Sequence, residues 1–295
     1  MQVLGLDVGG TTIKSGLVNS AGELTDLRRT PTPQDKSGEQ LVAALSELVT
    51  SYKQTNPELS AVGLCVPGIV DSENGIAVWS GTLGWRDLPL ASLLSKATGL
   101  PVKLVHDVTA GGVAEQAIGA AKGFSSAVVI AIGTGLAASI ILDGKIYRPH
   151  SAVGELGHVP TRNNRPCVCG KSGCLEMTCS GGALSRNYEA VTGKTLPAHE
   201  IIELAEAGEI AAKKLWDEFL SELGFAIHYI AGLIGPEAVV IAGGFGYLGN
   251  RITDPINKYL DEVITIQKRP QIITSSLEGT SGCIGAGLSA IASFE

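Results

Sequence analysis

The sequence predicts an α/β protein of two similar lobes with a cleft between them, and three observations carry that expectation. Short apolar runs such as QVLGLDV, AVGLCV and AVVIAGG alternate with amphipathic stretches, the pattern of strands joined by helices. The opening design is an apolar strand, a Gly/Thr turn, a second apolar strand and a glycine turn into a third. It recurs in SSAVVIAIGTGLAASIILDGKIY, which reads as a divergent internal duplication. The 38 glycines among 295 residues suit the many tight strand-to-helix turns such a fold requires.

Taken in order, QVLGLDV, IKSGLVN and a third segment after Ser20-Ala21-Gly22 should form an antiparallel meander. Leu41, Val42, Leu45, Leu48 and Val49 recur at helical spacing, which places a helix from about Gln34 to Tyr52. The strand AVGLCVPGIV runs into Pro67-Gly68. A short helix over 88–98 then precedes PVKLVHD, and Asp107 stands where this strand hands over to the helix VTAGGVAEQAIG. After the second meander comes a Gly/Cys-rich loop from Arg162 to Cys174. A long helix from Ala211 to Ile234, the strand AVVIAGG and a Gly-rich helix from about Gly282 complete the chain. The expected division is an N-terminal lobe over 1–106, to which 284–295 returns, and a C-terminal lobe over 107–283 that carries the Cys-rich loop.

The formal net charge is −7 and the basic residues are scattered, which argues against a nucleic-acid surface, where phosphate neutralisation needs clustered Lys and Arg. The start MQVLGLDVGG has no basic leader and meets Asp7 and a glycine pair before an apolar span can form. Neither a signal peptide nor a membrane segment is expected, and the expected compartment is the cytoplasm. In a reducing compartment the six cysteines read as metal ligands or buried thiols rather than disulfides.

Four motifs carry chemistry. In LGLDVGGTTIK, Gly9 and Gly10 let a phosphate approach the backbone, Thr11 and Thr12 add hydroxyl donors, Lys14 adds a cation, and Asp7 suits a hydrated Mg²⁺. A plain hairpin turn is the simpler alternative. In AIGTGLA, Gly133, Thr134 and Gly135 occupy the matching turn of the second half, so that two Gly/Thr hairpins would grip a polyphosphate. In VHDVTAGGVAE, Asp107 is placed to accept a hydroxyl proton during phosphoryl transfer; the competing reading is a helix N-cap.

The fourth motif is the most specific. AVGELGHVP followed by CVCGKSGCLE supplies His158, Cys167, Cys169 and Cys174, one nitrogen and three sulfurs suited to a closed tetrahedral Zn²⁺ site, with a disulfide as the alternative. Fixing those ligands also fixes Glu155 and Glu176, carboxylates of the kind that bind sugar hydroxyls; for Glu176 a first-turn helix carboxylate is the other reading. His150, His199 and His228 find no partner in the sequence. Trp79 and Trp85 flank Ser80-Gly81-Thr82, either as a sugar-facing loop or as packed aromatics.

LGLDVGGTTIK, VPGIV, and GELGHVP with CVCGKSGCLE together resemble the ROK family of repressors, uncharacterised reading frames and sugar kinases, over essentially the whole chain. The resemblance implies the actin-like ATPase (ribonuclease H-like) fold, ATP with Mg²⁺ as cofactor, a structural Zn²⁺ and transfer of phosphate to the 6-hydroxyl of a hexose. Glucose is the expected acceptor, with N-acetylmannosamine or N-acetylglucosamine as the alternatives and polyphosphate as a variant donor. Asp107 then takes the place of the general base. Gly68, Thr82, His106, Asp107, Glu155, His158 and Glu176 take those of sugar contacts, with His158 shared between sugar and zinc. Gly243 and Gly244, with Gly285 and Gly287, are similar to the glycines near the nucleotide.

The implied partners are a small sugar and ATP, in a homodimer or homotetramer, with no nucleic acid and no membrane. Repressors of the family carry an N-terminal helix-turn-helix ahead of the phosphate loop; with that loop beginning at residue 4, a DNA-binding role is not expected, and a non-catalytic sugar sensor is the alternative of another class. Three departures stand out from the family pattern: His106-Asp107-Val108-Thr109 for Asn-Asp-x-Asn, Thr82-Leu83 for Asn-Leu, and Ala137-Ala138 in place of further glycines.

Overall fold

The structure is a computed structural model that describes residues 1–34, 38–81, 83–148, 153–277 and 279–295. The chain forms two compact units, residues 1–119 with 279–295, and residues 120–278.

In the first unit, β1 (Gln2–Val8), β2 (Thr12–Asn19) and β3 (Leu24–Pro31) form the expected antiparallel meander. The helix α1 (Glu39–Thr55) follows, burying Leu41, Leu45, Val49 and Tyr52 on one face. It starts later than its apolar spacing suggested, because Gly38 adopts a left-handed backbone at its N-cap. The strand β4 (Ala61–Val66) is buried throughout. After it come the small antiparallel strands β5 (Ile69–Asp71), β6 (Ile76–Trp79) and β7 (Arg86–Leu88), then α2 (Leu90–Thr98), β8 (Val102–His106) and α3 (Asp107–Ala117). The main sheet runs β3-β2-β1-β4-β8, with β1, β4 and β8 parallel.

The second unit repeats this plan. β9 (Ala127–Ile132), β10 (Leu136–Leu142) and β11 (Lys145–Ile146) are an antiparallel meander. The helices α4 (Glu176–Cys179), α5 (Gly181–Thr192), α6 (Ala198–Glu206) and α7 (Ile210–Leu233) come next. They are followed by β12 (Ala238–Gly243), α8 (Asn250–Val263) and β13 (Gln271–Thr274), giving the order β11-β10-β9-β12-β13 with β9, β12 and β13 parallel. The duplicated sequence design is therefore a duplicated sheet topology. The core of this unit gathers Ile130, Ile132, Phe219, Leu223, Ile241 and Ile256, with Phe219 stacked on Phe245 at 5.2 Å between ring centres.

The last helix, α9 (Ser281–Phe294), belongs to the first unit. It lies so close to the sheet that side chains are excluded on both sides of the contact. A Cβ on Gly63 would strike the Ala286 carbonyl, one on Gly5 the Cys283 carbonyl, and one on Gly285 the Ala110 carbonyl of α3. Gly287 faces Val18, so Gly285 and Gly287 line a packing seam. No helix among the described residues is long and apolar enough to cross a membrane.

Candidate active site

Strand register assembles the site of the first unit. Asp7 on β1 pairs with Cys65 on β4, and Cys65 pairs with Val105 on β8, so His106 and Asp107 emerge two strands away from Asp7 at the same end of the parallel strands. Carboxylates delivered to the C-terminal edge of parallel strands are where α/β folds place ligand chemistry. The Cys65 thiol donates to Asp7 Oδ1 at 3.5 Å; burial pushes that thiol well above its usual range, and the charges of Asp7 and Asp107 add to the effect. Gly282 leaves Asp7 its space, since a Cβ there would stand 2.7 Å from the carboxyl carbon.

Asp107 is the first residue of α3, and His106 is its N-cap, without a side-chain capping bond. Asp107 Oδ1 accepts the adjacent Val108 N–H at 2.7 Å and lies 3.1 Å from His106 Nε2. These are not the contacts of an N-cap side chain, which reaches the second or third helical N–H. Burial pushes the Asp107 carboxyl above its ordinary value. The His106 ring and the Val108 N–H pull it down, and Asp7 pushes it up.

The Gly9–Thr12 turn closes β1 onto β2, with the Gly9 N–H donating to Thr12 O at 3.0 Å. Two residues that the motif did not reveal brace it from behind. The Thr32 hydroxyl donates to Gly9 O at 2.7 Å, and Gln34 Nε2 donates to Gly10 O at 3.1 Å. Thr11 joins this brace by accepting the Thr32 N–H. Lys14 Nζ donates to Gly279 O at 2.8 Å and stands 3.5 Å from Asp7 Oδ2, so it links the turn strand to the segment before α9.

Gly68, at φ 106°, sits against the backbone of Trp79 and Ser80 where no side chain fits. Thr82 and His150 lie outside the described residues. The two tryptophans part company, with Trp85 buried in the core and Trp79 43% exposed against Gly81.

In the second unit, Gly133 and Thr134 of the Gly133–Gly135 turn form one wall of a cavity of about 340 Å³. The other walls come from Gly181, Gly182 and Ser185 of α5, from Ala198 and His199 of α6, and from Gly244, Phe245 and Tyr247. Gly243 turns into this wall at φ 72°, where a Cβ would crowd the Ile132 backbone. The sequence motifs did not include Gly181-Gly182 or Tyr247, and His199, without a partner in the sequence, joins this lining. The signal available was Ser180-Gly181-Gly182 opening an amphipathic stretch, a capping serine followed by a close backbone approach.

The Cys-rich loop brings His158, Cys167, Cys169 and Cys174 together, with one ligand atom from each within 4.8 Å of the others. Cys167 Sγ lies 3.6 Å from His158 Nδ1, and Cys169 Sγ lies 3.6 Å from Cys174 Sγ. Cys167, Cys169 and Cys174 are all free thiols in this arrangement. Two ion pairs that spacing could not reveal tie the loop to α7. Arg165 grips Glu218 with two bonds of 2.8 Å, and Arg162 Nε reaches the buried Glu222 at 2.9 Å. Glu155 stands exposed before the short turn Leu156–His158. Glu176 opens α4, and its Oε2 accepts the Leu136 N–H at 2.8 Å.

Duplicated five-stranded sheets, each with a Gly/Thr turn in its first hairpin, define the class, an actin-like ATPase fold. The chain belongs to the ROK family, whose model matches residues 3–292. It is 30% identical to a glucokinase of Halalkalibacterium halodurans over 96% of this chain and 93% of that one. Among solved structures it resembles a ROK family glucokinase from Streptomyces griseus in complex with glucose and AMPPNP, at 27% identity and TM-score 0.87 over 99% of this chain and 100% of that one. A ROK hexokinase from Thermus thermophilus matches at 29% identity and TM-score 0.84, over 99% of each chain.

Proposed function

We propose that this chain is an ATP-dependent hexose kinase that phosphorylates the 6-hydroxyl of glucose. The observation that carries the reading is the delivery of Asp107, its carboxyl raised by burial, to the same strand edge as Asp7 and the Gly9–Thr12 turn, in a chain with glucokinase relatives. Phosphoryl transfer to an alcohol asks the protein mainly for positioning, for charge stabilisation and for a carboxylate that accepts the hydroxyl proton.

Asp107 is assigned that proton, with His106 beside it. Asp7 would hold the hydrated Mg²⁺ that accompanies the nucleotide, and the Gly9–Thr12 turn, with Lys14, would meet its phosphates. The cavity of about 340 Å³ in the second unit falls within the size range of small-molecule sites and suits the nucleoside, with Gly133, Thr134 and Gly135 turned to its phosphates beside Gly243 and Gly244. Gly68, Thr82, His106, Glu155, His158 and Glu176 are assigned to the sugar.

Zn²⁺ suits the Cys₃His cluster. Metal–sulfur bonds of about 2.3 Å and a metal–nitrogen bond of about 2.0 Å give tetrahedral edges of about 3.8 Å between sulfurs and about 3.5 Å between sulfur and nitrogen. The 3.6 Å separations fit both edges. A closed four-ligand ion supplies structure rather than chemistry. Facing Cys167 through Nδ1, His158 keeps Nε2 for a sugar hydroxyl. Cytoplasmic residence and assembly as a homodimer or homotetramer complete the reading.

Coupled assays with ATP against glucose, mannose, N-acetylglucosamine and N-acetylmannosamine test it, with glucose expected to give the highest kcat/KM. Preference for an acetamido sugar would move the substrate class. Sugar binding without turnover of any of the four would replace the kinase by a sugar sensor.

A further inference from the structure

Glu176 joins two walls of the cavity. Its Oε2 accepts the Leu136 N–H at 2.8 Å, where β10 leaves the Gly133–Gly135 turn. Its backbone carbonyl accepts the Ser180 hydroxyl at 3.0 Å. That hydroxyl in turn accepts the Ala183 N–H at 3.0 Å and caps α5, whose first residues, Gly181 and Gly182, line the opposite wall.

The space around the side chain is shaped for this arrangement. A Cβ on Gly135 would stand 2.6 Å from Glu176 Oε2, and a Cβ on Gly157 would strike the Leu136 carbonyl and come within 3.3 Å of Glu176 Cβ. A direct bond runs between the walls as well, from the Gly181 N–H to Gly133 O at 2.8 Å. Glu176 also follows the ligand Cys174 by two residues, and the Leu175 N–H between them donates to Val159 O, next to His158.

We infer that Glu176 is a positioning residue for the nucleotide, setting the spacing of the Gly133–Gly135 turn and the Gly181–Gly182 helix start through the Leu136 N–H and the Ser180 cap. This rests on the reading that the cavity takes ATP. It gives Glu176 a task that persists when no sugar is bound, which separates it from a residue that only contacts the acceptor. Loss of the Leu136 hydrogen bond, with the N–H left without its acceptor, is expected to read as about tenfold in affinity.

The test is calorimetric titration of Mg-ATP into the protein without sugar. Glu176→Ala should weaken binding about tenfold. Glu176→Gln, whose amide oxygen still accepts the Leu136 N–H, should stay within about twofold. Glu176→Asp keeps the charge but is one methylene too short, and should behave as Glu176→Ala does; it keeps the inference testable if the alanine variant folds poorly. Zinc content should be the same in all four proteins.

Unaltered Mg-ATP affinity in the Ala and Asp variants, with only the KM for glucose changed, would overturn the inference. Equal losses in the Gln and Ala variants would overturn it as well. Absence of Mg-ATP binding by the unaltered protein would sink the nucleotide reading itself, and this inference with it.

Discussion

His106 Nε2 stands 3.1 Å from Asp107 Oδ1, and the Val108 N–H donates to that same oxygen at 2.7 Å. One oxygen of the assigned base is thus held between a ring nitrogen and a backbone N–H at the start of a helix. The side chain of Asp107 still keeps 35% exposure.

If Asp107 accepts the proton, Asp107→Asn should lower kcat by about 10²-fold or more while leaving the fold intact. Steady-state kinetics beside a circular dichroism melt check this. A carboxyl whose folded pKa is raised favours the protonated folded state, so its contribution to stability is present at acid pH and is lost as pH rises through the raised value. At pH 7 the Asn variant should therefore melt slightly higher than the parent.

The same shift fixes the pH profile. The base must be ionised, so kcat/KM should fall on the acid side, with its midpoint above the ordinary carboxylate value because burial raises Asp107. His106 pulls the other way, against burial and the Asp7 carboxylate. His106→Phe should therefore move the acid limb to higher pH, and a pH series of kcat/KM with glucose reads it. An unmoved limb would remove His106 from the electrostatics of the base.

The Cys₃His cluster predicts about one zinc per chain by elemental analysis. Cys169→Ser should release the metal, lower the melting temperature and weaken sugar binding together, because His158 and the segment leading to Glu176 share the loop. Arg162 and Arg165 would still anchor the loop to α7 through Glu222 and Glu218, so local opening rather than global unfolding is expected. Finding no zinc in the parent protein would overturn this prediction.

Close packing of α9 on the first sheet predicts a costly methyl. Gly63→Ala would drive a Cβ into the Ala286 carbonyl and to 2.8 Å from the Gly287 nitrogen, both of them backbone groups and not flexible side-chain ends. A loss of about 3 kcal/mol is expected, at the upper end of ordinary overpacking, and urea denaturation measures it. In the second unit, Gly182→Val would narrow the cavity by pushing a side chain onto Thr134 O, which already lies 2.6 Å from the Cβ position. The KM for ATP should rise at least about tenfold while that for glucose changes little.

Much of this protein is written locally in its chain. Alternating and periodic apolar residues announced both meanders, the long helix α7 and the strand AVVIAGG, because side-chain burial imposes periods of two and 3.6 on any sequence that folds this way. The Cys-x-Cys-Gly-x-x-Gly-Cys spacing, with His158 upstream, announced the four-ligand cluster, since those ligands sit close enough along the chain to meet in one loop. Other features join residues far apart in sequence, and only the tertiary structure decided them. Register across β1, β4 and β8 brings Asp7 to Cys65 and, beyond it, Asp107. Lys14 meets the Gly279 carbonyl 265 residues along the chain. Arg165 finds Glu218, and Glu176 reaches back forty residues to the Leu136 N–H. Local pattern records which face of an element is buried; it holds no record of which distant backbone group will stand opposite a given side chain once the sheets are formed.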